Sequence, residues 1–488
     1  MGVSNLIVAF THKSFGIGAK GGIPWNIPED RAHFRKVTMG HVCVMGRRTF
    51  ESLGSQPLVG RFNIVVTEKS DSALQAQNLT FVRPQLLDTH TNLIHGTDET
   101  IFICGGTKLY EKYIGTAERI YATIVEKEFP DMDTFFPVYS GLGKYYIEEA
   151  GPRLWSNNEK CFYRMITYRL GCGSSERGYI DLVRDILTSC KARPDRTGVG
   201  TLSVFGRQLR FDVSKTIPVL TTRSLGIKTI VRELLWFLRG SCDSKELERD
   251  GVHIWAGNTS RAFLDARGLQ HYAEGETGPL YGWSLRRFGA PYKIPPDEKD
   301  GCLLSWMNKR KSEHGDVYRP DGFDQLEALV AGLITDPFSR RHLMTTFNPS
   351  VVEQCVLAPC HGIAIQFYVE ESKDEGQPML LSCHVYCRSS DTFLGLPFNI
   401  ASYAILLHLI AKRCGYAPKE LVMSTGDTHI YSNHVKQAWT QINREPLPAP
   451  RLIIADAAAK KDWSQLTVDD FEIVGYLSHP PIKAEMAV

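Results

Sequence analysis

The chain has 488 residues, with 56 Lys and Arg against 54 Asp and Glu. That length is a prior for roughly two to four domains, and a net charge of +2 is too small to advertise a binder of nucleic acid or other polyanions. Twelve Cys in so long a chain make no disulfide scaffold, which points to reduced thiols and a cytoplasmic location.

The apolar run at 6–10 starts too early and is too short for a signal-peptide core. Further β-rich runs at 41–45, 62–67, 100–104 and 119–125 alternate with helical stretches, which predicts an α/β domain around a mostly parallel sheet. Residues 162–170 read as a strand, and the small, polar stretch 171–178 as a short linker. The spacing of Ile180, Leu182, Val183, Ile186 and Leu187 then predicts a helix over 179–190. Helices at 228–239, 323–335 and 399–414, with strands at 363–369 and 379–387, make the second half α+β. Residues 297–318, rich in Lys, Asp, Glu and Gly, read as a surface insertion. The longest apolar run, 401–411, contains His408 and falls short of the ~20 residues of a membrane span, so no membrane association is expected. The expected domains are thus 1–170 and 179–488.

In the first half, Pro28 suits the first position of a helix, which puts Asp30 in the first turn. Asp30 shares a helical face with Phe34 and Val37, whereas Glu29, Arg31, Arg35 and Lys36 lie elsewhere. An acid on an apolar face without a basic neighbour points to a group that binds a ligand's N–H donors. Met45-Gly-Arg-Arg-Thr49 and Cys104-Gly-Gly-Thr107 each follow a strand and open a helix, which makes them seats for phosphates. A pyrophosphate between two such turns, with Arg47 or Arg48 for a further phosphate, points to NADPH.

Ile17-Gly18, Ile23-Pro-Trp25, Pro28-Glu-Asp30, Met45-Gly-Arg-Arg-Thr49-Phe-Glu-Ser52, Gly105-Gly106 and Tyr121-Ala-Thr123 resemble dihydrofolate reductase in order and spacing, over about residues 4–169. The resemblance implies that Asp30 and Thr123 anchor the pterin and support its protonation. It also implies that Phe34 stacks on the pteridine, that Trp25 borders a mobile loop and that Arg61 binds the substrate's glutamate. Ala9, Ile17, Gly18, Gly46, Arg47, Arg48, Thr49, Gly105, Gly106, Thr107 and Tyr110 would form the NADPH site. Glu68 departs from the family by placing an acid where the 2′-phosphate is often held, so Arg47, Arg48 or Lys69 must compensate.

In the second half, Cys360 precedes an apolar strand, and Arg196, Arg340, Arg341 and Arg388 are available to surround it. Arginines around a thiol would lower its pKa and clamp a phosphate. Cys355, Cys360, His361, Cys383, His384 and Cys387 are dense enough to raise a zinc reading. Their spacing on or beside strands, where side chains alternate faces, weighs against it, and no metal is expected. Glu233 lies among apolar residues of a helix and faces Ile230 and Phe237, which points to a raised pKa and proton transfer.

Asp195-Arg-Thr-Gly-Val-Gly-Thr201, Glu233-Leu-Leu-Trp-Phe-Leu238, Gly278-Pro-Leu-Tyr-Gly282, Arg340-Arg341, Pro359-Cys-His361, Arg388-Ser-Ser-Asp391, Pro397-Phe-Asn-Ile-Ala-Ser-Tyr403 and Gly426-Asp-Thr-His-Ile-Tyr431 resemble thymidylate synthase over about residues 178–488. The whole is similar to the bifunctional reductase–synthase family. That resemblance implies a Cys360 adduct with dUMP, methylated by 5,10-methylenetetrahydrofolate. Glu233, Tyr281, His361, Trp255 and Asn258 would stand around the adduct, with Asn399 selecting uracil. His429 and Tyr431 would hold the ribose, and Asp391 the pterin. Arg196, Arg388 and Ser389 would grip the phosphate, with Arg340 and Arg341 supplied by the second subunit of a homodimer formed through the synthase domain. Val488 would close over the folate. Ala256, Cys387 and the run 283–286 depart from the family's usual residues, which leaves open a second reading: an active reductase carrying a regulatory or scaffold synthase domain that binds nucleotide or RNA. No nucleic acid is required by the first reading.

Overall fold

The computed structural model describes residues 4–68, 77–89, 100–171, 175–195, 198–292 and 322–485. Arg196, Val488, Lys69 and the insertion at 297–318 lie outside them. The chain divides into two compact units. One comprises Met1–Ser174 with Arg444–Arg451 and Val474–His479; the other comprises Ser175–Asn443, Leu452–Ile473 and Pro480–Val488.

Among the described residues of the first unit, nine strands form one sheet. They are β1 (Ser4–Thr11), β3 (Val42–Gly46), β4 (Phe62–Val66), β5 (Leu79–Val82), β6 (Ile101–Ile103), β7 (Arg119–Val125), β9 (Tyr145–Ala150), β10 (Leu154–Ser156) and β11 (Cys161–Leu170). A short pair, β2 (Gly16–Gly18) with β8 (Thr134–Phe135), stands apart. The order is β10-β11-β7-β1-β6-β3-β4-β5, with β9 also on β11. Pairings from β7 through β1, β6, β3 and β4 to β5 are parallel, and those made by β11 are antiparallel. A parallel strand covered on both faces needs a continuous apolar run, and residues 42–45 supply one, each at most 1% exposed.

The helices include α1 (Pro28–Thr38), α2 (Arg47–Ser52), which packs on β3 and β4, and α3 (Thr107–Tyr113), which packs on β1 and β6. Acids in the first turn of α1 and bases in its last complement the helix dipole. The core includes residues far away in sequence: Leu447, Val474 and Leu477 are 0–2% exposed among Leu6, Phe10, Ile120 and Ile147. A Cβ on Gly143 would collide with the carbonyl of Pro446, so that backbone passes where only glycine fits.

The second unit opens with α4 (Arg177–Ser189). Glu176, inside the stretch read as a linker, is buried and accepts hydrogen bonds from Thr221. Six described strands form a sheet in the order β12 (Ala192–Arg193), β13 (Thr201–Asp212), β17 (Ala417–Tyr431), β16 (Leu380–Asp391), β15 (Ala364–Glu370), β14 (Leu343–Met344). Helices α5 (Ile227–Leu238), α6 (Tyr281–Arg286), α7 (Gln325–Thr335) and α8 (Gly395–Cys414) follow in chain order. By length and composition α8 is sufficient to cross a membrane, longer than the apolar run at 401–411, but most of it is buried in the unit, where it packs on β16 and β17. It stops at Gly415, whose φ of 73° provides the left-handed cap. One face of the sheet stays open: Leu343, Gln366, Tyr368, His384, Tyr386 and Gln208 are exposed on neighbouring strands.

Candidate active sites

In the first unit, α1 turns Asp30, His33, Phe34 and Val37 to one side, all half-buried, as the wall of a cleft requires. Burial raises the Asp30 carboxyl above its ordinary pKa, and Thr123 on β7, then His33, draw it part of the way back. The sequence reading gave Asp30 no basic neighbour. His33, three residues on, corrects that, since positions i and i+3 of a helix adjoin. The buried Trp25 side chain also helps to draw the Asp30 carboxyl down. Arg61 is 8% exposed, and donates to the Val59 carbonyl at 3.1 Å and Thr38 Oγ1 at 3.2 Å. Among the described residues it has no carboxylate partner, an unusual state for a buried cation.

The two glycine turns meet. Gly46, before α2, donates its N–H to the Gly105 carbonyl at 2.8 Å. A Cβ on Gly105 would lie 3.3 Å from the Tyr110 hydroxyl and 3.5 Å from Thr49 Oγ1, so side chains are excluded where a ligand's phosphates would need close backbone approach. Thr107 donates to the Phe135 carbonyl at 2.9 Å, and Tyr110 to the Ile7 carbonyl at 2.8 Å. Arg47 Nε meets Glu51 at 2.7 Å, Arg48 is exposed, and Glu68 accepts from Gln85 at 3.0 Å. Ala9 on β1, with Ile17 and Gly18 on β2, is half-buried.

In the second unit, Cys360 is half-buried in the loop before β15. Tyr281, the first residue of α6, meets it twice. Its hydroxyl accepts the Cys360 backbone N–H at 3.0 Å and lies 3.3 Å from Sγ. His361 stacks on the Tyr281 ring, centroids 4.2 Å apart, and its Nδ1 is 2.8 Å from the Tyr403 hydroxyl of α8. Glu233 on α5 accepts from Trp255 Nε1 at 2.8 Å. Burial pushes its carboxyl up to about 7 against that bond, in the direction the sequence implied.

The thiol departs from expectation. Burial raises the Cys360 pKa, and Tyr281 and Arg388 offset only part of that rise. Arg388 donates instead to the carbonyls of Pro359 at 2.7 Å and Ala358 at 2.9 Å. Arg340 and Arg341 are exposed. Cys387 is buried and its thiol is pushed up to about 12, which makes it an inert core group.

Parallel pairing of β16 and β17 sets Ser389 against Asp427 and Asp391 against His429. Ser389 donates its N–H to the Cys360 carbonyl at 3.4 Å. Asp391 Oδ1 accepts from the backbone of Phe393 and Leu394. His429 Nδ1 is 3.0 Å from Asp427 and its ring meets Tyr431 edge-on. Asn258 is buried and Asn399 half-buried. The dense Cys and His residues do not converge: among the described residues no three His, Cys, Asp or Glu side chains could hold a metal ion. Tyr403 closes one of the runs quoted from the sequence but was given no role there, because a tyrosine in a buried helix looks like packing.

A dihydrofolate reductase family model matches residues 4–169 and a thymidylate synthase model residues 177–488. The two units thus make a chain of two enzymes, reductase first and synthase second. The bifunctional dihydrofolate reductase-thymidylate synthase of Paramecium tetraurelia is 35% identical over 496 residues, covering 99% of this chain and 98% of the relative. Those of Zea mays and Leishmania major are 34% and 35% identical, each covering 99% of this chain and 96% and 95% of their own. The chain belongs to the bifunctional dihydrofolate reductase–thymidylate synthase family, whose two activities use NADPH and 5,10-methylenetetrahydrofolate.

Proposed function

We propose that the synthase unit converts dUMP to dTMP through a bond from Cys360 Sγ to C6 of the pyrimidine. The carrying observation is the double contact of Tyr281. Its oxygen is occupied by the Cys360 N–H, so its own proton is available to Sγ. Burial holds that phenol well above its ordinary pKa, so it donates a hydrogen bond to the thiolate without giving up its proton. Glu233, ionising near neutrality, takes and returns protons at the pyrimidine. The folate supplies the one-carbon unit and the hydride of the new methyl group. Asn399, His361, Trp255 and Asn258 face the base, His429 and Tyr431 the ribose, and the second oxygen of Asp391 the pterin. Arg388, Ser389 and Arg196 bind the phosphate. A regulatory or scaffold synthase half would need neither a phenol-held thiol nor an acid tuned to neutrality.

The exposed Arg340 and Arg341 complete the phosphate site of a second copy. The open sheet face carrying Leu343, Tyr368 and Tyr386 supports that homodimer, because contiguous exposed apolar side chains mark an interface.

In the reductase unit, the glycine cradle formed by Gly46, Gly105 and Gly106 fits a dinucleotide pyrophosphate. Arg47, Arg48, Thr49 and Thr107 hold it, and Ala9, Ile17, Gly18 and Tyr110 line the site. NADPH supplies the hydride when bound. Asp30 and Thr123 hold the pterin N–H groups, Phe34 stacks on the ring, and Arg61 binds the glutamate carboxylate of dihydrofolate. Cys360→Ala tests the assignment: dTMP formation from dUMP and methylenetetrahydrofolate should vanish while NADPH oxidation with dihydrofolate persists. Survival of dTMP formation would overturn the Cys360 bond.

A further inference from the structure

The contact between His361 and Tyr403 carries chemistry of its own. His361 follows Cys360 directly and lies nearly flat on Tyr281, the ring planes 14° apart. Its Nδ1 is 2.8 Å from the hydroxyl of the buried Tyr403. Gly362, at φ +65°, leaves the space that hydroxyl fills, since a Cβ there would collide with it.

The direction of this hydrogen bond follows from the partners present. Among the described residues, His361 Nδ1 is the one hydrogen-bond partner of the Tyr403 hydroxyl. If the imidazole donated, the buried phenol proton would have no acceptor, an arrangement folded proteins avoid. The phenol therefore donates to Nδ1. A neutral imidazole carries one proton, which then sits on Nε2. The ring is neutral, because burial pushes its pKa down to about 3. No protein group among the described residues bonds Nε2, and the residue is only half-buried.

We propose that Tyr403 is a positioning residue for the synthase reaction, one that fixes His361 as the Nε2–H tautomer and so gives the Cys360 site a neutral N–H donor. This deepens the reading of Cys360 as nucleophile and rests on it. When Sγ adds to C6, the C5=C6 electron pair moves toward the adjacent carbonyl, whose oxygen gains charge. An N–H that donates without surrendering its proton stabilises that oxygen, directly or through a water. Tyr403 sets both which nitrogen carries the proton and how the ring is turned.

The test uses the full chain. Nitrogen NMR of 15N-histidine-labelled protein should show a protonated Nε2 and a bare Nδ1 for His361. Tyr403→Phe should lower synthase kcat by on the order of tenfold, short of the ~10²–10³ lost when an oxyanion donor is deleted. Its dUMP affinity and its reductase turnover should be unchanged. In a His361→Gln background the same substitution should cost nothing further, which a tyrosine that merely fills space would not show. A protonated Nδ1 in the wild type, or an equal loss of kcat in both backgrounds, overturns the proposal. If the wild type makes no dTMP, the synthase reading fails and the donor role with it, while the nitrogen spectrum still decides the tautomer.

Discussion

Trp255 donates its indole N–H to Glu233 Oε1 at 2.8 Å, and this bond favours the ionised carboxylate against a burial that disfavours it. Burial wins, and the group titrates at about 7 instead of its ordinary 4.5. Between those values the folded chain binds the proton and the unfolded chain does not, so stability falls as pH rises across that window. Glu233→Gln cannot ionise and escapes the loss. Above pH ~7 it should be more stable than wild type, by about 3 kcal/mol at most, with the difference gone at pH ~4.5. Its synthase turnover should drop by ~10²–10⁴. Denaturant melts of both proteins at the two pH values check this, and an equal difference at both would refute it.

Asp30→Asn keeps the shape of the reductase acid and removes its charge. Reductase turnover at neutral pH should fall by ~10²–10⁴ and recover partly at low pH, where the pterin can be protonated from solvent. Synthase turnover on the same chain should stay intact. Wild-type reductase rates in the variant at neutral pH would sink the assignment.

Exposed Arg340 and Arg341 predict complementation. A chain carrying Cys360→Ala and a chain carrying Arg340→Ala with Arg341→Ala should each be inactive as synthase. Mixed, they form dimers in which one site has both defects and the other neither, so part of the activity returns. No recovery after verified subunit exchange would argue against a shared phosphate site.

Leu447 is fully buried in the reductase core although it belongs to a part of the chain matched by the synthase family. Leu447→Ala should cost about 2–5 kcal/mol there. After a heat pulse, reductase activity should be lost at a lower temperature than in the wild type, with the synthase midpoint unmoved. A shift in synthase alone would contradict the packing.

Strands β1, β3, β4, β6 and β7 were legible because each is rich in apolar, β-branched or aromatic residues, which suit a largely buried strand. Strands β13 and β17 were not read from the sequence. One face of β13 is open, as Gln208, Arg210 and Asp212 show, and β17 carries Pro418 and Gly426, which resemble breaks. Asp30, Glu233 and Cys360 stood out as polar or reactive groups in apolar company, and their partners came from the resemblance. Arg388 lowers the pKa of the Cys360 thiol as the sequence implied, but burial outweighs it, and residue types in sequence do not show how deeply a loop thiol is buried. Arg388 spends its donors on two carbonyls. His33 beside Asp30 and Tyr403 beside His361 look like ordinary residues until the fold brings them to the site.

Residues 444–451 and 474–479 belong to the first unit, and this orders events at the ribosome. Synthesis proceeds from the N-terminus at roughly 5–20 residues per second, so the reductase sequence emerges first. Its core nevertheless lacks Leu447, Val474 and Leu477 until almost the whole chain has been made. A message cut short in the synthase region before residue 474 would therefore yield a reductase with an open seam. Finished reductase and finished synthase leave the ribosome in equal number, and the half begun first stays incomplete until residues 474–479 have been made.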